Sequence, residues 1–200
     1  MKALLNKWVP LMVGAQVNVL NIFSGQAAGK KAFEIFCTPR KGKLREKDLD
    51  FLNTCQSKEL LADGGDAIRV YSWNDSGKKT VLLMHGWESN AARWKDIIPM
   101  LMNEGYRVVA MDGPAHGGSE GKLINVPFYA SAINRVVEAY QPDHLVGHSL
   151  GGMSIVYFLH TYGPQSVKSV ALLGAPAQLP PIIAGYQKML GLTDATVRSM

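Results

Sequence analysis

A chain of 200 residues with 47% hydrophobic and 18% charged positions is long enough to bury one substantial core and too apolar for a disordered polyelectrolyte. Its two cysteines, Cys37 and Cys55, have neither CxxC nor Cys/His spacing around them, which excludes a disulfide-dense scaffold and gives no zinc signature. The net charge of +5 is concentrated early: residues 1–79 hold 13 basic against 8 acidic side chains, and residues 80–200 hold 8 of each.

At the N-terminus, Lys2 and Lys7 lead into an apolar stretch over residues 8–23 that Pro10, Gln16, Asn18 and Asn21 interrupt. Those polar residues disfavour a membrane span, for which about 20 predominantly apolar residues are wanted, and Ala27-Ala28 makes a poor cleavage site. The stretch predicts an amphipathic helix packed on the body of a cytoplasmic protein with no stable membrane insertion. An export signal or membrane-associated segment over residues 1–28 is the alternative. The basic run Arg40, Lys41, Lys43, Arg45 and Lys47 has only Phe51 as a nearby aromatic and no recognition motif, so it reads as solvated surface and not as a nucleic-acid site.

From residue 57 onward short apolar runs alternate with longer periodic ones. Residues 59–62 and 67–73, around Asp63-Gly64-Gly65-Asp66, predict a hairpin with Ile68 and Val70 alternating against Arg69 and Tyr71. Residues 80–84 are apolar throughout, as a strand buried on both faces should be. Helices are then expected over 91–104, 126–140 and 150–162, and strands over 107–111, 144–147 and 167–173. That alternation predicts an α/β fold, a mostly parallel sheet with helices on both faces, whose ligands bind at the carboxyl ends of the strands.

Three of those strand ends carry chemistry. Gly147-His148-Ser149-Leu150-Gly151, followed by Gly152, is a G-x-S-x-G sequence placed between a predicted strand and a predicted helix. Such a turn holds the serine backbone in a strained conformation, and glycines two before and two after let strand and helix close on each other. Ser149 is thereby a candidate nucleophile, or its remnant, with the Leu150 amide free at a helix N-terminus to meet negative charge. A Gly-rich turn needed only for packing is the bland alternative. His85-Gly86-Trp87 ends the 80–84 strand, where a second oxyanion donor is wanted; the Trp87 backbone N–H is the best candidate. The alternative there is a strand end with an indole packed over it. Asp112 and His116, in the loop Asp112-Gly113-Pro114-Ala115-His116-Gly117-Gly118-Ser119, read as side chains that brace their own turn and not as catalysts.

Taken in this order and spacing, these three segments resemble the α/β-hydrolase superfamily over residues 57–180. Within it the chain looks most like a group of bacterial serine hydrolases with a Phe-x-Thr-Pro-Arg-like segment, here Phe36-Cys37-Thr38-Pro39-Arg40. The resemblance implies Ser149 as nucleophile and Trp87 and Leu150 as oxyanion donors. His85, Gly86, Gly147, His148, Gly151, Asp112 and His116 would support them. It implies a small-molecule acyl substrate, no cofactor and no nucleic acid. The expected organisation is an extension over 1–56, a hydrolase core over 57–178 and the start of a cap over 179–200.

One departure stands out. The triad order of this fold is Ser, acid, His, but the only acid after Ser149 is Asp194 and the only histidine is His160, in the wrong order. His160 lies eleven residues along the same predicted helix, roughly 16 Å at 1.5 Å per residue. The expectation is a fold truncated before its last two strands, with the catalytic acid and base beyond residue 200. The sixth strand would then be an apolar edge prone to self-association. A non-catalytic binding module on the same fold is the competing function. Phosphate-loop chemistry fails on spacing at Gly25 to Lys30 and Gly117 to Lys122, and no metal-ligand cluster or dinucleotide fingerprint is present.

Overall fold

The computed structural model describes residues 2–200, with side chains from residue 8 onward. In chain order it contains helices α1 (Lys2–Phe23), α2 (Gly25–Cys37) and α3 (Glu46–Leu52), then strands β1 (Gln56–Leu61), β2 (Ala67–Trp73) and β3 (Lys79–Met84). A 3₁₀ turn, Ala91–Trp94, leads to α4 (Ile98–Asn103), β4 (Tyr106–Met111), α5 (Val126–Tyr140), β5 (His144–His148) and α6 (Leu150–Tyr162). The chain continues through β6 (Ser169–Leu173), α7 (Pro180–Leu190) and α8 (Asp194–Arg198).

Two compact units result: residues up to Thr38 together with Ala177–Met200, and Pro39–Pro176. The breaks fall at 38/39 and 176/177, where the sequence suggested 56/57 and 178/179. Residues 39–56 belong with the sheet because Lys43 bridges to Gly117 and because Leu44, Phe51 and Leu52 join its core. Residues from 177 on belong with the first helices because Tyr186, Leu190 and Leu192 share a core with Val17, Ala28 and Ala32. Two glycines allow that packing: a Cβ on Gly14 would overlap the Leu190 carbonyl, and one on Gly29 the Ser199 carbonyl. In α1, Val17 is buried, whereas Trp8, Met12, Ile22 and Phe23 are exposed; the side chains of Lys2 and Lys7 lie outside the described residues. No helix among the described residues is long and apolar enough to cross a membrane.

In the Pro39–Pro176 unit, the six strands lie in the order β1-β2-β4-β3-β5-β6. β1 pairs antiparallel with β2 and β2 antiparallel with β4, while β4, β3, β5 and β6 run parallel. The unbroken apolar run of β3 follows from strand geometry, since successive side chains point to opposite faces. Leu82 and Met84 join Ile68, Val70, Val109 and Met111 against α5 and α6, whereas Val81 and Leu83 join Tyr71, Trp73, Val108 and Ala110 against Trp94 and Ile98. Each fully buried aliphatic side chain contributes roughly 1.5–3 kcal/mol. Asn125 caps α5 by accepting from the Phe128 amide at 2.8 Å, and α6 begins directly after Ser149.

The helix expected over 91–104 is instead a 3₁₀ turn and a short α-helix. Pro99 explains the break: it has no N–H to donate and is tolerated only in a first turn, where it stands in α4.

Candidate active site

The turn from β5 into α6 carries Ser149 at φ 52° and ψ −116°, a conformation that costs a residue with a Cβ on the order of 1–3 kcal/mol. Neighbouring structure holds it there: the Ser149 amide donates to the Leu173 carbonyl of β6 at 3.0 Å, and the Met153 amide donates to the Ser149 carbonyl at 3.1 Å. The flanking glycines are required by space. A Cβ on Gly147 would lie 2.7 Å from the Gly152 nitrogen, and one on Gly151 would lie 2.6 Å from the carbonyl oxygens of Met84 and His85. Leu150 is the first residue of α6, so its N–H has no intrahelical acceptor and points out of the positive end of a 13-residue helix.

The loop after β3 lies flush against this turn. A Cβ on Gly86 would meet the Ser149 Cβ at 3.1 Å and His148 Nδ1 at 2.8 Å, so only glycine fits. The Trp87 side chain is exposed and its indole packs edge-on against His116, with centroids 5.8 Å apart.

Two buried histidines fix that loop. His85 Nε2 accepts from the Gly113 amide at 2.8 Å, which places its proton on Nδ1, 2.7 Å from the Gly86 carbonyl that accepts it. His116 Nε2 accepts from the Glu88 amide at 3.0 Å, so its Nδ1 donates to the Pro114 carbonyl at 2.9 Å. Burial is the main reason that both are pushed down to about 4, and they are neutral at neutral pH. Asp112 is the hub beneath them. Its carboxylate accepts from the Ala91 amide at 2.7 Å, the Gly118 amide at 2.8 Å and the Tyr71 hydroxyl at 2.9 Å. Burial raises its pKa and those donors pull against the rise. Gly117, at φ 50°, has no alternative residue, because a Cβ would overlap the Asp112 carboxyl.

A family model described as the alpha/beta hydrolase fold matches residues 79–196, from β3 into α8. The chain belongs to the α/β-hydrolase family. It is 38% identical over 119 residues to a serine hydrolase-like protein of Danio rerio, an overlap that covers 56% of this chain and 36% of that one. Over 156 residues it is 31% identical to a 2-hydroxy-6-oxononadienedioate/2-hydroxy-6-oxononatrienedioate hydrolase of Paraburkholderia phymatum, covering 70% and 54% respectively. An esterase of Exiguobacterium antarcticum matches in structure with a TM-score of 0.57 and 27% identity over 61% of this chain and 46% of that one. The chain thus spans 36% to 54% of the length of these two curated relatives.

Within this α/β-hydrolase, no described side chain hydrogen-bonds Ser149 Oγ. The ring nitrogens of His85 and His116 are committed to the loops. His144 stands at the far end of β5, its Nδ1 paired with Ser169 Oγ at 2.8 Å, and His160 is three turns along α6. His148 Nδ1 is buried without a partner, and burial lowers its pKa. Among the described residues no group of His, Cys, Asp and Glu could hold a metal ion. Sequence reasoning did not find the bracing roles of Tyr71, Ser119 and Tyr129. Ser119 Oγ donates to the Asp112 carbonyl at 2.7 Å within its own loop and accepts from the Arg69 amide at 2.9 Å, and Tyr129 Oη donates to the His85 carbonyl at 3.3 Å; the last two join distant elements and leave no local pattern.

Proposed function

We propose that this chain carries the nucleophile-bearing part of a serine hydrolase that cleaves a carboxylic ester or thioester through an acyl-enzyme on Ser149. The observation that carries this reading is the positive φ of Ser149, imposed between β5 and α6 with the Gly86 backbone packed against it. A residue with a Cβ is kept in such a conformation where the surrounding structure over-determines it, and such strain clusters at active sites.

In this reading Ser149 Oγ bonds to the acyl carbon. The Trp87 and Leu150 N–H groups hold the developing oxyanion. The C–O or C–S bond breaks as the hydroxyl proton passes to a base and on to the leaving alcohol or thiol, and water then releases the acid. Nothing in this sequence of steps calls for a metal or cofactor. The described residues show no base on Ser149 Oγ: His85, His116 and His144 are engaged elsewhere, His160 is three helical turns away, and His148 Nδ1, though unpartnered, makes no hydrogen bond to it. Asp112 and His116 brace the loops. The esterase likeness favours an ester as the simplest substrate. Cys37 and Cys55, unpaired and pushed up to about 11 by burial, suit a reducing cytoplasm. The exposed apolar β6 is a surface for self-association.

A second reading, a binding module on the hydrolase fold, draws on the missing base at Ser149. Intact mass of the native gene product followed by fluorophosphonate labelling separates the two. Covalent labelling at Ser149 that Ser149→Ala abolishes is expected. Labelling that survives the substitution, or a native product that never labels, rejects the hydrolase reading.

A further inference from the structure

The basic run of residues 40–47 is exposed, as a solvated stretch should be, but its backbone is not loose. The Gly117 amide donates to the Gly42 carbonyl at 2.9 Å, Lys43 Nζ donates to the Ser119 carbonyl at 3.0 Å, and the Arg40 amide donates to Glu88 Oε1 at 2.9 Å. These bonds dock the run onto the loops that follow β3 and β4. Between it and residues 88–95 lies a cleft of about 740 Å³, large enough for a drug-sized ligand.

The cleft is lined by Lys41, Lys43, Arg45, Lys47, Arg93 and Lys95 against two carboxylates, Asp48 and Glu88. Both carboxylates are occupied. Arg45 clamps Asp48 through Nε at 3.0 Å and Nη2 at 3.1 Å, and Arg40 Nε stands 3.6 Å from Glu88. Among the described residues Lys41, Lys47, Arg93 and Lys95 make no ion pair. Four uncompensated cations around one concavity concentrate anions in it. Phe51 adds an aromatic wall, itself stacked on Trp73 with centroids 5.5 Å apart. The cleft also borders the candidate site: Glu88, Ser89 and Asn90 follow Trp87 directly, and the Arg93 charge adds to burial in lowering His85 and His148.

We propose that this cleft binds the phosphate groups of an acyl substrate whose non-reacting end is phosphorylated. The inference rests on the hydrolase reading for what the bound molecule is, though not for whether phosphate binds. The geometry of the cleft fits a thioester or ester whose leaving group carries a phosphate-bearing headgroup: cations meet the phosphates, and Phe51 can stack on a base or pack against a methylene chain.

The test is calorimetric titration of the full chain with adenosine 3′,5′-bisphosphate and, separately, with inorganic pyrophosphate. Saturable binding of at least one with Kd at or below about 1 mM is expected, weakening as KCl is added. Tighter binding of the bisphosphate identifies a nucleotide-like headgroup, and equal binding identifies bare phosphate chemistry. The double variant K41E/K95E should bind at least about tenfold more weakly. If far-UV circular dichroism shows that the double variant is unfolded, Lys95→Glu alone is used and the same direction of loss is required. Failure of both probes to bind, affinity unchanged in the charge-reversal variant, or tighter binding of a single-stranded DNA oligonucleotide than of either probe overturns the proposal. Probe binding needs no Ser149 hydroxyl, so absent binding leaves fluorophosphonate labelling intact, and absent labelling leaves probe binding intact.

Discussion

The two edges of the sheet follow opposite rules. β1 reads Gln-Ser-Lys-Glu-Leu-Leu and, although Leu61 at its end is exposed, carries charge along the rest of its solvent face: Lys58 lies 4.3 Å over the Tyr140 ring and Glu59 pairs with Arg69 at 2.6 Å. β6 reads Ser-Val-Ala-Leu-Leu, with no charge, and leaves Leu172 46% and Leu173 41% exposed. Charge protects an edge against pairing with another chain, and β6 lacks that protection. Polar satisfaction divides only in part the same way. Around β3 and β4, Asp112, His85, His116 and Ser119 all have partners, although Trp94 Nε1, packed on those strands, has none, whereas β5, next to β6, holds the other two buried orphan atoms among the described residues, His144 Nε2 and His148 Nδ1. The Ser149 amide hangs on the Leu173 carbonyl. Ser149 is therefore tied to the less protected edge, and the loops that shape its surroundings to the better satisfied half.

The sharpest way to break the satisfied half is Asp112→Ala. It strands the Tyr71 hydroxyl and the buried Ala91 amide, each worth about 1–3 kcal/mol when left unpaired, and releases the Gly118 amide to solvent, so a loss of at least about 2 kcal/mol is expected. Urea denaturation measures it; Asp112→Asn should retain part of the loss. A drop below about 1 kcal/mol would mean that the hub is not what holds this half together.

The same half should respond to acid. The folded pKa values of His85 and His116, about 4, lie below the unfolded value of about 6.5. The unfolded chain therefore binds more protons between those values, and stability falls as pH falls from about 6.5 toward 4, by up to about 3 kcal/mol per histidine. Above about 6.5 these two groups give no slope. Asp112, raised by burial, contributes with the opposite sign, so the histidine share is isolated by difference: His116→Gln should flatten the profile measured by thermal melts.

Much of this frame was legible because it is coded locally. β3 announces itself by an apolar run with no polar face, α5 and α6 by helical periodicity, and the Ser149 turn by glycines that only its crowding requires. Pro99 broke the expected 91–104 helix for a reason that was also in the sequence, though periodicity outweighed it. Asp112 bracing its own turn through the Gly118 amide was legible, but the docking of Lys43 at Gly117 and the Tyr71 and Ala91 donors to Asp112 were not, because each joins elements far apart in the chain. The basic run accordingly looked like plain surface, although its backbone forms the wall of a cleft.

The contrast between the edges is sharpened by exchanging their character. Leu172→Lys should raise by about tenfold the concentration at which the chain self-associates, a change of about 1.4 kcal/mol, and Lys58→Leu should lower it. Sedimentation velocity over a concentration series reads both. If Leu172→Lys leaves association unchanged, β6 is not the surface through which copies meet.

The smallest effect is the most diagnostic for Ser149. At φ 52° and ψ −116° Ser149 is strained by its Cβ, which Ser149→Ala keeps and Ser149→Gly removes. Glycine also gives the unfolded chain more freedom, a loss of roughly 0.5–1 kcal/mol, so the net gain of glycine over alanine should be about 1 kcal/mol. Both variants remove the hydroxyl and both should lose fluorophosphonate labelling, so the stability difference between them reports the backbone alone. A glycine variant less stable than the alanine variant would mean that the turn is relaxed around Ser149. The positive φ would then no longer argue for a serine held in place for chemistry.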